Sequence, residues 1–339
     1  MTWLLAVVLA QAGAADGGLD RRTRTLMHTE VTLALPSSVE AGVREAAFLE
    51  GFGVFEHIDA ELNEWRPGSA LSRINGADGG APVEASAEVC EVVSLALEGA
   101  RRTNGLFDPT WAALRDVWRF GSAENGVVPT DAQVKAVCPL VGWRRVTVNP
   151  RTGGGCFITL APGTKLGLGG VVKGWGVDRV VAAFRARGLK DFFVQAGGDL
   201  YVGGLLEGRP WRVGIRDPRG GKASTFARLE LTDAAFSTSG DYEHFFVRDG
   251  VRYHHLIDPR TCWPARASVS TTVLAARATD AEFLTKAGFI LGPKAGQPLA
   301  RTFGAAAVWV TPDGRVHATK GLETKLEVWP LSGFDGGAP

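Results

Sequence analysis

The central stretch of the chain, residues 166–204, changes from a helical to an extended pattern of hydrophobic positions. Apolar residues first recur at helical spacing with arginines between them, which predicts an amphipathic helix that ends at Gly188. The run at 191–195 then predicts a buried strand, followed by a glycine turn at 196–199. The apolar positions of the helix are Val177, Val180, Val181 and Phe184.

Helical patterns occur on both sides of this stretch. Ser86 is placed to cap one predicted helix, and Thr130 with Gln133 forms a capping box for another. The predicted helices cover 38–62, 86–105, a short segment from Phe107 to Trp118, a segment that begins at Thr130, and 279–291.

Extended patterns dominate the second half of the chain, although one strand is predicted earlier, at 25–35. Asp249-Gly250 and Asp313-Gly314 favour tight hairpin turns. Further strands are predicted at 211–215, 227–231, 243–248, 251–257, 269–275 and 305–311.

These elements predict an α+β or mixed α/β fold with two interleaved lobes, a mixed β-sheet core and surrounding helices. We find no internal repeat and no long linker in the sequence, so a single domain is expected over residues 16–331. Residues 332–339 are predicted to form a disordered tail.

Residues 1–15 contain an apolar run followed by small residues, which is typical of an export signal. A buried N-terminal helix is the alternative. Export would place the protein in the periplasm or on the outer face of the inner membrane. The net charge of +1 gives no basic surplus, so nucleic acid is not an expected partner.

The four cysteines are too far apart in sequence for a C-x-x-C pair or a zinc-finger pattern. One or two disulfides, with three possible full pairings, and four isolated thiols both remain open. These residues are Cys90, Cys138, Cys156 and Cys262.

Gly167, Gly169 and Gly170 precede Lys173 at the start of the central helix. Free backbone N–H groups and a lysine at a helix start favour an anion such as phosphate. The spacing matches neither a Walker A loop nor a dinucleotide fingerprint, because Val172 stands where each requires glycine. A tight turn that packs the helix on a sheet is the alternative.

Three other polar segments are candidates for chemistry. They are a small-polar loop entering a strand at 237–243, a strand end at 253–261 bracketed by His255 and Asp258, and Phe107-Asp108-Pro109-Thr110. Taken singly, each has a structural explanation: a serine or threonine turn, a strand end before proline, and a helix cap.

Taken together and in order, these segments resemble the ApbE family of FAD:protein FMN transferases, over about residues 27–292. The matching stretches are RPGSALSRIN, FDPT with the later WRFG, LGGVVKGWGVDR, VQAGGDL, WRVGIRDP, STSGDYEHFF, HLIDPRT and FILG.

The resemblance implies an enzyme that cuts the pyrophosphate of FAD, attaches FMN to a Thr or Ser hydroxyl of a partner protein and releases AMP, usually with Mg²⁺. Exported partners in the family include subunits of membrane redox complexes. A catalytically weakened or inactive FAD-binding homologue and a hydrolase giving FMN and AMP are the alternatives.

The resemblance also implies roles for individual residues. Lys173 would neutralise phosphate, His255 would be the general base, and Asp258 would orient its loop. The implied contacts to the flavin nucleotide are Met27, Trp65, Leu106, Phe107, Asp108, Gly167, Lys173, His255 and Ile257.

The implied metal site lies on the helix 281–292 and near the Gly170 carbonyl. The family's metal-binding Asp corresponds to Glu282 and its Thr to Lys286, with Thr285 just before. An ammonium cannot ligate Mg²⁺, which makes the metal doubtful. Lys286 could replace the metal, it could point away while Glu282, Thr285 or Asp280 holds Mg²⁺, or an i,i+4 ion pair could stand in a degenerate site.

Overall fold

The computed structural model describes residues 18–77, 79–120, 126–221 and 223–334. The predicted export signal at 1–15 lies outside them, as do residues 335–339 of the predicted tail. Within the tail, the amide of Ser332 donates a 2.8 Å hydrogen bond to the Asp217 carboxylate. The rest of that prediction is untested.

The longer helices of the described residues lie close to their predicted positions. The helix at Ala70–Gly76 is not among the predicted ones, and the helix predicted from Phe107 to Trp118 is only a short 3₁₀ helix at Ala112–Asp116. Helix α6 is broken at Gly292, where φ is 69° and the backbone is not helical, so its first part ends at 291 as predicted and a second helical segment follows. None of the described helices is both long and apolar enough to cross a membrane. The bounds are α1 Ala41–Leu62, α2 Ala70–Gly76, α3 Ala87–Arg102, α4 Asp131–Val137, α5 Val172–Ala186 and α6 Ala278–Thr302.

The strands are short and most are joined by tight turns. Their bounds are β1 Leu19–Leu26, β2 Thr29–Pro36, β3 Val83–Ala85, β4 Val146–Pro150, β5 Cys156–Leu160, β6 Phe192–Ala196, β7 Asp199–Gly203, β8 Trp211–Arg216, β9 Thr225–Leu231, β10 Ala234–Gly240, β11 Phe245–Arg248, β12 Val251–His254, β13 Ile257–Asp258, β14 Trp263–Pro264, β15 Ser270–Ala275, β16 Ala306–Val310, β17 Val316–Ala318 and β18 Glu327–Val328.

The main sheet has the strand order β1-β2-β6-β7-β10-β15-β16-β17, with antiparallel pairing between all of these neighbours. The α+β class is confirmed. The sequence predicts a mixed sheet, but the main sheet is antiparallel throughout. Tight hairpins such as β1–β2, β6–β7 and β16–β17 reverse the chain direction between neighbouring strands. The division into two lobes stays a prediction.

The main sheet is buried on both faces. In β2, Leu33 belongs to the hydrophobic cluster formed with α1, α3 and α5, whereas its neighbour Ala34 belongs to the cluster formed with β8 and β9. Alternate residues of a strand point to opposite faces, so one strand contributes to both clusters. The helices and the small β8–β9–β18 sheet therefore cover opposite faces of the main sheet.

The strand predicted at 25–35 is instead a hairpin, with its turn at Met27 and His28. Both residues have positive φ, 51° and 58°. Two-residue hairpin turns of this kind usually contain Asn or Gly, so the sequence gives no turn signal here.

The predicted loop at 237–243 is likewise corrected. Residues Ser237–Gly240 belong to β10, which lies between β7 and β15 near the middle of the main sheet. Small polar side chains fit there because they pair across strands, as Thr238 Oγ1 does with Thr272 Oγ1 at 2.9 Å.

Both cysteine pairs form disulfides, Cys90–Cys156 and Cys138–Cys262. The first joins α3 to β5. The second joins the segment after α4 to the loop that follows β13, across 124 residues of sequence. The structure thus selects one of the three possible pairings.

Removing the Cys138–Cys262 bridge with a double serine variant should lower the free energy of unfolding by about 2–5 kcal/mol, because a long loop in the unfolded chain is released. Urea unfolding followed by tryptophan fluorescence measures this. The matched control is the wild-type protein with both disulfides reduced, which should lose at least as much. Equal unfolding free energies for variant and wild type would contradict the expectation.

Candidate active site

The site is built where the start of α5 meets α6. The Asp178 carboxylate on α5 accepts hydrogen bonds from the amides of Ala278 at 2.7 Å and Thr279 at 3.0 Å, which caps the start of α6. A Cβ at Gly174 would lie 2.7 Å from the Ala278 carbonyl oxygen, so only glycine allows this close approach. The two helices are therefore held at a fixed distance.

An ionic cluster lies between these helices and the end of the glycine turn. The Lys173 Nζ contacts Glu282 Oε1 at 2.6 Å, the Gly169 carbonyl oxygen at 2.7 Å and Asp199 Oδ2 at 3.4 Å. The other Asp199 oxygen accepts a 2.5 Å hydrogen bond from Ser237 Oγ on β10. One lysine thus joins α6, β7 and the glycine turn.

Glu282 is fully buried, and both of its carboxylate oxygens are used. Oε2 accepts a 2.9 Å hydrogen bond from the Gly174 amide. Oε1, besides its contact with Lys173, lies 3.5 Å from the Nζ of Lys286, one turn along α6. The two lysines and two carboxylates of the ionic cluster balance in charge.

Burial and mutual attraction set the pKa values in this cluster. Burial alone would lower the pKa of Lys173, but the Glu282 and Asp199 charges more than offset it and raise that pKa. Burial favours a higher pKa for Glu282, yet the two lysines bring it below its usual value. The pKa of Asp199 is raised by burial and by the Glu282 charge.

His255 lies beside this cluster with an unused ring nitrogen. Its Nδ1 is buried and has no hydrogen-bond partner among the described residues. The ring makes an edge contact with His244, with centroids 5.2 Å apart. Burial, the neighbouring histidines and the Lys286 charge hold the pKa of His255 well below its ordinary value. The imidazole is therefore neutral and can accept a proton.

A second polar atom without a partner lies on the other side of Lys173. The Oγ1 of Thr29 is buried and unpaired among the described residues. A Cβ at Gly197 would lie 2.9 Å from this oxygen and 3.7 Å from Lys173 Cδ. The preceding Met27, in the β1–β2 turn, packs partly buried against the main core.

The FDPT segment lines the glycine turn, but its carboxylate is engaged elsewhere. Asp108 accepts hydrogen bonds from Thr110 and, at 2.8 Å, from the Trp143 amide. Burial raises its pKa. Phe107 packs on Phe283 of α6, with ring centroids 4.7 Å apart. Leu106 is buried in a smaller cluster with α6.

Asp258 organises the loop after His255. Its carboxylate accepts hydrogen bonds from the Arg260 guanidinium at 2.7–3.2 Å, and its carbonyl accepts the Cys262 amide at 2.7 Å. Cys262 is in turn bonded to Cys138. Ile257 is buried in the same region. The geometry gives Asp258 contacts that hold the loop.

Trp65 forms an exposed aromatic surface, with 67% of the residue accessible. The Arg115 guanidinium lies 4.6 Å from its ring centroid and 4.3 Å from that of Trp111. The indole nitrogen of Trp111 donates a 3.2 Å hydrogen bond to the Gly167 carbonyl. This stack of rings therefore connects Trp65 to the glycine turn.

Beside the site, His254 should make stability depend on pH. Burial lowers its pKa from 6.5 to about 4, and its ring nitrogens contact the Ala265 carbonyl and the Leu256 amide. Below pH 6.5 the unfolded chain binds a proton at His254, whereas the folded chain does so only near pH 4. Folding is therefore most favourable above pH 6.5 and loses stability as the pH falls towards 4. The loss due to His254 should be about 2 kcal/mol between about pH 7 and pH 5.

Urea unfolding of wild type and His254→Gln at both pH values measures this difference. The variant should show a loss smaller by that amount. Identical pH profiles would contradict the assignment to His254.

Comparison with known proteins identifies the family. The ApbE family model matches residues 27–309. An FAD:protein FMN transferase of Treponema pallidum is 32% identical over 96% of this chain and 94% of its own length, and one of Vibrio cholerae is 33% identical over 73% and 74%. The crystal structure of an ApbE protein from Thermotoga maritima has a TM-score of 0.81 and 29% identity, covering 91% of this chain and 99% of its own.

The chain belongs to the ApbE family.

The ApbE resemblance implies a metal at Gly170, Glu282, Thr285 and Lys286, and the donor set does not fit one. Mg²⁺ needs about six oxygen ligands. Here the Thr285 hydroxyl bonds to the Glu282 carbonyl oxygen at 3.0 Å, and the Lys286 ammonium faces the Glu282 carboxylate. Among the described residues no group of three His, Cys, Asp or Glu side chains could hold a metal ion.

This geometry also decides how Lys286 is oriented. Lys286 does not point away, because its Nζ lies 3.5 Å from Glu282 Oε1 and its Cε lies close to Gly170. Asp280, the other candidate ligand, pairs with Arg102 at 3.0 Å instead. The outward orientation of Lys286 that one alternative requires is therefore not the one in this structure, and binding of Mg²⁺ by these residues stays a prediction.

Several site residues of this ApbE chain were not assigned from sequence. Asp199 and Ser237 lie inside the recognised motifs VQAGGDL and STSGDYEHFF, but only the pairing of β7 with β10 brings their side chains together. Thr29 follows a turn that the sequence does not signal. The motifs could have indicated Asp199; nothing local could have indicated its partners.

Proposed function

We propose that this chain cleaves the pyrophosphate of FAD and transfers the FMN half to a Thr or Ser hydroxyl of a partner protein, releasing AMP. The observation that carries the proposal is that Lys173 and Lys286 meet on Glu282 at the glycine turn, next to His255, whose buried Nδ1 has no partner among the described residues and whose pKa the Lys286 charge helps to lower. Relatives named FAD:protein FMN transferase support it.

Phosphoryl transfer depends mainly on positioning and charge neutralisation. The acceptor oxygen attacks the phosphorus of the FMN half, the bond from that phosphorus to the bridging oxygen breaks, and AMP leaves with the bridging oxygen. The proton of the acceptor hydroxyl passes to Nδ1 of neutral His255. The positive charge of Lys286, at the edge of the ionic cluster, and the backbone amides of the glycine turn stabilise the phosphate charge.

The flavin ring system needs a flat apolar surface. The exposed ring of Trp65 provides such a surface. Arg115 lies over this ring and over Trp111, and Trp111 is hydrogen-bonded to the glycine turn at Gly167. Met27, Leu106, Phe107 and Ile257 supply further apolar contacts. The Asp108 carboxylate serves to fix this segment, since its oxygens already bind Thr110 and Trp143.

The test is a transfer assay with purified protein, FAD and a membrane redox subunit that carries an acceptor Thr, the partner class we propose. Flavin fluorescence should stay with the acceptor in a denaturing gel, and AMP should appear in equal amount. Replacing the acceptor Thr by Val is the control. AMP without covalent flavin would indicate a hydrolase, and neither product would contradict an enzymatic function.

The proposal places the protein outside the cytoplasm, exported by the signal at 1–15. The two disulfides support this, because disulfides persist mainly in oxidising compartments. Cell fractionation with mass analysis of the mature N-terminus tests it. An uncleaved chain found only in the cytoplasm would contradict it.

A further inference from the structure

The two lysines of the ionic cluster differ in how much hydrogen-bonding capacity the protein uses. An ammonium group has three N–H donors. The three close oxygens around Lys173 belong to Gly169, Glu282 and Asp199. Lys173 therefore makes two short hydrogen bonds, to Gly169 and Glu282, and a 3.4 Å ion pair with Asp199, and these contacts hold the two buried carboxylates to the glycine turn.

Lys286 is occupied much less. Its described contacts are the Glu282 carbonyl oxygen at 3.1 Å and, at the longer distance of 3.5 Å, Glu282 Oε1. Accessibility does not distinguish the two lysines, since 23% of the Lys286 side chain and 24% of the Lys173 side chain are accessible; the difference lies in their contacts. At least one N–H of Lys286 is thus available to a ligand oxygen.

The position of Lys286 suits a phosphate. A Cβ at Gly170 would lie 3.1 Å from the Cε of Lys286, so the lysine arm runs along the glycine turn. On the other side, the Lys286 charge is close enough to His255 to help lower its pKa. Lys286 therefore brings positive charge to the glycine turn, where the proposed reaction needs it.

We infer that the ammonium group of Lys286 binds the pyrophosphate directly and replaces a divalent cation in this chain, while Lys173 holds the carboxylates. The inference rests on the proposed function, because it takes the FAD pyrophosphate as the ligand. The physical reason is competition: a divalent cation on Glu282 would lie next to an ammonium that already uses that carboxylate, and the two positive charges would repel.

The first experiment measures the affinity of the purified full chain for FAD by quenching of flavin fluorescence, in excess EDTA and in millimolar Mg²⁺. We expect dissociation constants that agree within about twofold. A tenfold or greater gain with Mg²⁺, or stoichiometric Mn²⁺ binding detected by electron paramagnetic resonance, would overturn the inference.

The second experiment removes the charge. Lys286→Met should weaken FAD binding in EDTA by about tenfold or more, and Lys286→Arg should retain most of the affinity. Lys294→Met, an exposed lysine on the same helix, is the matched control and should leave affinity unchanged. A purely structural lysine would lower the thermal midpoint without changing FAD affinity, and that result would also overturn the inference.

The reverse exchange, Glu282→Asp with Lys286→Thr, should make FAD affinity rise with Mn²⁺. A folded double variant that binds FAD with no response to Mn²⁺ would contradict the replacement.

The transfer assay separates this inference from the proposed function. Covalent flavin formed only with Mg²⁺ would leave the transferase intact and remove the role of Lys286. Metal-independent FAD binding that depends on Lys286, with no product under any condition, would leave the inference and remove the transferase.

Discussion

Replacing His255 by Asn should lower the rate of FMN transfer by about 10²–10⁴-fold, the usual contribution of a positioned general base. Its Nδ1 is buried and has no hydrogen-bond partner among the described residues, so this nitrogen is available to accept the proton of the acceptor hydroxyl. FAD affinity should change only a few-fold, because Lys286, which we infer binds the phosphate, remains. Single-turnover kinetics at saturating FAD measure the loss.

The pH profile gives an independent check of the same residue. A general base must be deprotonated, and the pKa of His255 lies well below its usual value. Wild-type activity should therefore stay constant as the pH falls from about 8 to about 6. His57→Asn, on the exposed face of α1, is the control and should leave both rate and profile unchanged. A rate for His255→Asn within threefold of wild type would exclude the proposed role.

Replacing Lys173 by Met should destabilise the fold by about 3–5 kcal/mol, because it removes the partner of buried carboxylates. Glu282 is 0% and Asp199 is 3% accessible, so water cannot replace the lost ammonium. Lys286 cannot fully compensate, since it stands 3.5 Å from Glu282 Oε1. Urea unfolding at neutral pH measures the change.

A second substitution tests the cause of that loss. Adding Glu282→Gln to Lys173→Met removes the uncompensated charge and should recover part of the stability, without recovering transfer. If the single variant keeps wild-type stability, or if the double variant loses the sum of both single effects, the ionic cluster does not act as described.

Local chemistry made much of the fold predictable. The Ser86 cap and the Thr130–Gln133 capping box are present as the sequence predicts, since each is decided by residues within one helical turn. The Asp249-Gly250 hairpin is confirmed for the same reason. Where local signals are weak, as at Met27-His28, the turn is set by pairing between distant strands and could not be predicted.

The site could be predicted only in part. The i,i+4 spacing of Glu282 and Lys286 indicated an ion pair, and the structure places them together. The sequence could not show that Lys173 and Asp199 join the same cluster, because the Lys173–Glu282 contact spans 109 residues and the Lys173–Asp199 contact spans 26, and both form only after α5, β7 and α6 pack. The sequence also could not show that the Lys286 side chain is directed toward Glu282, the observation that argues against an outward-pointing lysine.

The Gly174–Ala278 contact has an evolutionary consequence. Because a Cβ at position 174 would meet the Ala278 carbonyl and the Glu282 carboxylate, any other residue there would push the two helices apart and move Glu282 off the Gly174 amide. Drift at this position is therefore closed as long as the ionic cluster is kept.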